Sequence, residues 1–226
     1  AQDLAAYPRD EEADRRLCAA EGVDVLFMPW PEEVYAEGAA TSVSVKALTR
    51  GLCGAGRPGH FEGVATVVAA LFNMVGPDLA VFGEKDFQQL QVIRRMARDL
   101  HFNVAVESAP TVREDDGLAM SSRNARLDPQ ARRAAAIVPL ALALAHRAWQ
   151  AGCQQSAELV AIAREQLEGR LEVEYLELVD ADGLEPVKTA GPGTVLVLAV
   201  HVGGVRLIDN IVLGSSQLGC QEEFPQ

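Results

Sequence analysis

The sequence predicts an α/β protein: a doubly wound parallel sheet followed by a smaller α+β unit. Three observations predict it. Amphipathic helical stretches alternate with short apolar runs up to residue 112, the pattern of a parallel sheet covered by helices. After Asn124 the order changes to helices followed by strands in succession. The composition, 49% hydrophobic and 23% charged over 226 residues, is that of a chain with a real core. Domains commonly run about 100–200 residues. Two are expected here, 1–112 and 113–213, with 214–226 as a loose tail.

Taken in order, Arg9 to Ala20 reads as an acidic polar helix ended by Gly22, and the apolar run VDVLFMP at 23–29 reads as a buried strand. The set Val64, Val67, Val68, Leu71, Phe72, Val75 has the i, i+3, i+4, i+7 spacing of one buried helix face, and LAVFG at 79–83 follows as a strand. Leu90, Ile93, Ala97 and Leu100 repeat that spacing before the strand NVAVESA. Asp128 as N-cap with Pro129 in the first turn opens a long Ala/Leu-rich helix to about Trp149, and a second helix follows Ser156. EVEYLELVD, TVLVLAV and VRLIDNIVL are strands, the last two joined by a Gly203-Gly204 hairpin turn.

Charge excludes several partners. Against 32 Asp+Glu there are 20 Lys+Arg, a formal net charge of -12, so nucleic acid and anionic membranes are repelled. Any anionic ligand must meet a local cluster of cations. Cys18, Cys53, Cys153 and Cys220 form no C-x-x-C pair and none stands near a His in zinc-ligand spacing, which fits reduced intracellular thiols. No apolar run approaches the roughly 20 residues that span a bilayer, and the opening residues do not resemble a signal peptide, so a cytoplasmic location is expected. The chain opens at Ala1 without a Met, in a polar segment that reads as the interior of a longer protein.

Three segments could carry chemistry. Gly54, Gly56 and Gly59 have G-x-G-x-x-G spacing, yet the nearest strand-like piece ends at Val45, nine residues before Gly54, and Pro58 stiffens the turn, so a nicotinamide site is disfavoured. With Arg57, His60 and a helix start, the loop either covers an anion or is an irregular surface loop. GEKDFQQL at 83–90 joins a strand tip to a helix start, where open parallel sheets bind ligands. One of only three lysines, Lys85, stands there, placed to hold phosphate oxygens with the helix N-terminus. Asp86 with Gln89 also reads as a D-x-x-Q capping box. MSSRN at 120–124 sets two hydroxyls beside an Arg, as a phosphate clamp needs, although the same residues make a common polar turn. Glu114, Asp115 and Asp116 read as a solvated loop, with a Mg²⁺ site the minority alternative, and His146 and His201 read as packing residues.

In order and with their gaps, YPRDEEAD, GLCGAGRPGHFEGVATVVAALFN, FGEKDFQQLQVIRRM, PTVREDDGLAMSSRN and VRLIDNIVL resemble the pantothenate synthetases, from Leu4 to about Leu213. The resemblance implies a Rossmann-like, class I nucleotidyltransferase-like fold and a cytoplasmic, homodimeric ligase of the coenzyme A pathway. Such an enzyme joins pantoate to β-alanine with ATP and Mg²⁺ through a pantoyl-adenylate, its α+β domain closing over the active site. It implies that Gly83, Glu84, Lys85 and Asp86 contact ATP, that Gln89 binds pantoate and that Val112 lies on the adenine side. Met120, Ser121, Ser122 and Arg123 would form the triphosphate clamp, with Lys85, Ser121, Ser122 and Arg123 as the catalytic set; Arg57 and His60 would lie near the site or the dimer contact.

The chain also departs from that pattern. Family members carry an early His-x-Gly-His segment that supplies nucleotide-binding histidines and the catalytic acid, then an Asn-Pro-x-Gln-Phe segment; neither occurs here. The expectation is a sheet whose first two strands are missing and a chain inactive by itself. A non-catalytic nucleotide-binding remnant or scaffold module is the alternative.

Overall fold

A computed structural model describes residues 10–215. The described residues divide into two compact units that part between Thr41 and Ser42. In the first, helix α1 (Glu11–Ala20) is capped by Asp10, whose carboxylate accepts the Ala13 N–H at 2.9 Å, and none of its residues is buried. Helix α2 (Pro31–Val34) is a single turn in which Glu33 accepts the Trp30 N–H at 2.6 Å. The strand expected at 23–29 does not form. A strand exists through ladder bonds to a neighbour, no pairing partner for this run occurs among the described residues, and Val25 and Phe27 stand exposed.

The second unit begins with α3 (Cys53–Gly56) and α4 (His60–Val75). Gly76, at φ 61, ends α4 in a left-handed cap that non-glycine residues resist. The buried stripe of α4 is Phe61, Ala65, Val68, Ala69 and Phe72. The expected face was Val64 to Val75; because apolar residues run almost round this helix, packing selects the stripe and leaves Val75 exposed. Strand β1 (Leu79–Gly83) pairs parallel with β2 (Ala105–Ala109), Leu79 opposite Ala105, with α5 (Phe87–Asp99) between them in sequence. Leu90, Ile93 and Ala97 of α5 are buried as the spacing predicts, whereas Leu100 lies past the helix end and is exposed.

Asp128 caps α6 (Pro129–Ala135), accepting the Gln130 and Ala131 N–H groups, each at 2.8 Å. The single long helix expected here is two, because α7 (Ile137–Gln150) begins after a break at Ala136. Pro139 explains the break: it has no N–H to give the Ala135 carbonyl, and its ring crowds that carbonyl. Helix α8 (Ser156–Leu167) packs on α7, and β3 (Glu172–Val179), β4 (Val195–Val202) and β5 (Val205–Val212) form an antiparallel sheet in that order.

Strand β4 is apolar almost throughout because it has a core on each side. Leu196, Leu198, Val200 and Val202 join the cluster under α7 and α8, whereas Val195 and Val197 join the cluster of α4 and α5. Successive strand residues face opposite ways, so one strand ties the parallel pair to the antiparallel sheet. β5 follows the same alternation, with Leu207 and Ile211 in the first cluster and Ile208 and Val212 against the second.

Candidate active site

The wall formed by residues 48–60 depends on one buried amide. Gln88, on the first turn of α5, gives its Nε2 hydrogens to the Leu48 and Gly51 carbonyls at 2.8 and 3.0 Å and accepts the Cys53 N–H on Oε1 at 3.0 Å. The Leu48 and Gly51 carbonyls lie in irregular backbone and the Cys53 N–H in the first turn of α3; neither the Leu48 carbonyl nor the Cys53 N–H has a secondary-structure partner among the described residues, and Leu52 takes a positive φ of 54. Gly54 fits because a Cβ there would fall 2.0 Å from the Thr49 carbonyl oxygen. Close approach is therefore the role of this glycine in the G-x-G-x-x-G run, and no strand enters the turn directly, as a dinucleotide site would require. From this wall Arg57 donates to His60 Nε2 at 3.0 Å. Burial first, and then the Arg57 charge, lowers the His60 pKa and favours the neutral ring.

Lys85 stands in a 3-10 turn, Glu84–Asp86, between the tip of β1 and α5. The capping box expected of Asp86 and Gln89 is absent: Asp86 precedes α5 but its side chain bonds no helix N–H, and Gln89 lines the cavity instead. The turn is held from β5, where Asn210 Nδ2 donates to the Glu84 and Lys85 carbonyls at 2.9 and 3.0 Å. Burial lowers the Lys85 pKa, opposed by the nearby Asp86 and Asp209 carboxylates. Glu84 turns away, accepting from Ser108 at 2.7 Å.

The second arm is a tight hairpin, residues 112–120, leading into a 3-10 turn, Ser122–Arg126. Ser121 caps that turn by accepting the Arg123 N–H at 3.2 Å. Arg113 forms a bidentate pair with buried Asp209 at 2.8 and 3.1 Å and also holds the Gly117 carbonyl at 3.0 Å. Arg132 of α6 joins Glu114 and Asp116, each at 2.5 Å, and Asn124 donates to Glu114 at 2.6 Å. These hydrogen bonds draw the pKa values of both carboxylates down, Asn124 acting most strongly on Glu114 and Arg132 on Asp116. Glu114 and Asp116 thus anchor the hairpin, where a solvated loop was expected, and Asp115 alone of the three is exposed; no group of three metal-ligating side chains occurs among the described residues.

One cavity receives both arms. Arg57, His60, Lys85, Asp86, Gln89, Ser121 and Arg123 line it, as do Cys53, Tyr175, Arg206, Asp209 and Asn210. Of the residues singled out in the sequence, Gly83, Glu84, Val112, Met120 and Ser122 are outside its lining, with Val112, Met120 and Ser122 exposed. The arrangement is four cations (Lys85, Arg57, Arg123, Arg206) against two carboxylates (Asp86, Asp209), with a neutral imidazole and the hydroxyls of Ser121 and Tyr175, a net positive space in a chain of net charge -12, which suits a polyanion. Arg206 is oriented by Glu174 at 2.7 and 3.0 Å, and Tyr175 meets the Cys53 thiol at 3.0 Å. Burial and then Cys53 push the Tyr175 phenol well above its ordinary value, so it stays protonated. Sequence reasoning missed Gln88, Arg113, Tyr175, Arg206, Asp209 and Asn210. Only the last three left a signal, being polar residues inside the otherwise apolar run VRLIDNIVL.

Comparison with known proteins identifies the family. The family model described as pantoate-beta-alanine ligase matches residues 1–212. A pantothenate synthetase of Citrifermentans bemidjiense is 48% identical over 215 residues, covering 94% of this chain and 77% of the relative. The crystal structure of a pantothenate synthetase from Thermus thermophilus superposes with a TM-score of 0.90 at 46% identity, over 93% of this chain and 77% of that one. A pantoate-beta-alanine ligase from Francisella tularensis, solved with β-γ ATP and β-alanine, gives a TM-score of 0.73 at 27% identity, over 96% of this chain and 75% of that one. The mixed architecture, with its parallel strands and separate antiparallel sheet, is accordingly that of a nucleotidyltransferase-like ligase. By sequence and by fold, the chain belongs to the pantoate-beta-alanine ligase family.

Proposed function

We propose that the cavity binds ATP and serves the ATP-dependent condensation of (R)-pantoate with β-alanine to pantothenate. The observation that carries this reading is the meeting of Lys85, at a strand tip, with Ser121 and Arg123, from a turn far along the chain, in one space. A pantoate carboxylate oxygen attacks the α-phosphorus of ATP and the bond to pyrophosphate breaks. The β-alanine amine then attacks the acyl carbon of the pantoyl-adenylate, loses a proton and displaces AMP. Both steps build negative charge on phosphate oxygens, and one preorganised donor is commonly worth about 3 kcal/mol there. Lys85, Ser121 and Arg123 supply such donors. Gln89 orients pantoate, and neutral His60, whose Nε2 is taken by Arg57, is left with an Nδ1–H to donate without adding charge. Gly83, Glu84, Val112, Met120 and Ser122 lie outside the lining of this cavity and enter the nucleotide site only by the family resemblance, which also has residues 113–213 closing on it.

Mg²⁺ fits as a companion of the triphosphate, since it is commonly held by one or two carboxylates plus phosphates; of the two carboxylates lining the cavity Asp209 is engaged by Arg113, and Asp86 would hold the ion. When bound it would neutralise phosphate charge. Cytoplasmic location and a homodimer belong to the same reading; no helix among the described residues is long and apolar enough to cross a membrane. No His-x-Gly-His occurs in the 226 residues, and we assign the chain by itself nucleotide binding without turnover. Isothermal titration with ATP and Mg²⁺, beside an assay of pantothenate formed from labelled β-alanine, tests both halves. Saturable ATP binding that Arg123→Ala weakens is expected, and its absence refutes the site. Turnover near that of a full-length relative refutes the assigned inactivity.

A further inference from the structure

Asp209 and Asn210 are neighbours on β5, and alternation along the strand sends their side chains to opposite faces. Both are buried, at 3% exposure each. Asp209 takes the second arm: its carboxylate holds both terminal nitrogens of Arg113, and Arg113 also fastens the Gly117 carbonyl, so the hairpin leading to Ser121 and Arg123 is fixed to β5. The same carboxylate accepts the Asn210 N–H at 2.8 Å, which fixes its own rotamer. Asn210 takes the first arm, its two Nδ2 bonds holding the Glu84 and Lys85 carbonyls. Its Oδ1 is buried and accepts nothing, so the amide is placed for its donor end alone. Two consecutive backbone positions of β5 therefore carry the elements that present Lys85 and Arg123.

We propose that Asp209 and Asn210 are positioning residues that set the separation of the two cationic arms to the span of a polyphosphate. The inference deepens the proposed function, on which it rests for the identity of the ligand as ATP. A ligand reaching both arms feels their separation, whereas a single phosphate on one arm does not. Electrostatics and positioning give opposite signs for Asp209→Asn. Removing a carboxylate from beside Lys85 and Arg113 favours any anion by charge alone, while loosening the hairpin penalises only an anion that bridges the arms.

The test is titration calorimetry of the 226-residue chain and of Asp209→Asn and Asn210→Leu with inorganic tripolyphosphate, inorganic phosphate and ATP, after circular dichroism and thermal unfolding have established the fold. Expected are tripolyphosphate and ATP affinities lowered about tenfold or more in both variants, with phosphate affinity held within about twofold or, for Asp209→Asn, raised. Tripolyphosphate binding as tight as in the unaltered chain, or an equal loss for phosphate, overturns the proposal. Should neither variant fold, the residues serve the fold and the proposal also falls. If the unaltered chain binds tripolyphosphate but not ATP, the proposed function fails while the positioning role is still decided by the variants; if it binds neither, both fail.

Discussion

Replacing Gln88 by Leu keeps the size of the side chain and deletes three hydrogen bonds at once. The cost follows from where the abandoned groups lie. Leu48 and Cys53 are 3% and 7% exposed, so the Leu48 carbonyl and the Cys53 N–H lose their partner out of reach of water. The Gly51 carbonyl, in an exposed residue, can turn to solvent. A buried group left unsatisfied costs about 1–3 kcal/mol, and two of them, partly offset by the added apolar contact of Leu, give a net loss of roughly 3 kcal/mol. Against a typical total of about 5–15 kcal/mol this is large. At roughly 2–4 °C per kcal/mol for a chain of this size, the midpoint should fall by about 6–12 °C. Thermal and urea unfolding followed by circular dichroism measure it, and a loss below about 1 kcal/mol refutes the pinning role. Gln88→Glu adds a sign: its carboxylate would face two carbonyl oxygens, which raises its folded pKa. The stability of that variant should therefore be highest at acid pH and be lost as pH rises.

Two further perturbations bear on the cavity. Burial lowers the folded Lys85 pKa from 10.5, and a phosphate needs the ammonium; ATP affinity should decline as pH rises through that lowered value, with Lys85→Arg abolishing the decline and Lys85→Met giving weak, pH-independent binding. An unchanged pH profile in Lys85→Arg by calorimetry would assign the titration elsewhere. Gly54→Ala sets a methyl 2.0 Å from a backbone carbonyl that cannot rotate away; overpacking of this kind costs about 1–3 kcal/mol or more, and a melting temperature equal to that of the unaltered chain would contradict the packing described.

What was legible in the sequence is what local pattern determines. Strand β1, helix α5 and the three strands of the antiparallel sheet follow from apolar periodicity and turn residues, and the Asp128-Pro129 helix start follows from cap chemistry. Lys85, Ser121 and Arg123 could be singled out because their local settings suggested phosphate binding, and the fold brings them together as the motifs implied. The run at 23–29 shows the opposite limit, since an apolar segment is a strand only if something pairs with it. The Ala136 break could have been read from Pro139. Arg113 and Asp209, 96 residues apart, leave no mark in either segment that names the other. The amide of Gln88 likewise reads as one more polar residue on a helix. Long-range polar contacts of this kind are decided by packing, and they hold the site in shape.

Gly203 and Gly204 close the β4–β5 turn with φ of 54 and 73, and a Cβ on Gly203 would stand 2.6 Å from the Cβ of Ala131. Ala131 precedes Arg132, the residue that leashes Glu114 and Asp116. A single methyl group on Gly203 would therefore press on the helix that carries Arg132, and through Arg132 on the hairpin that leads to Ser121 and Arg123, so that the size of one turn residue bears on the placing of side chains in the cavity.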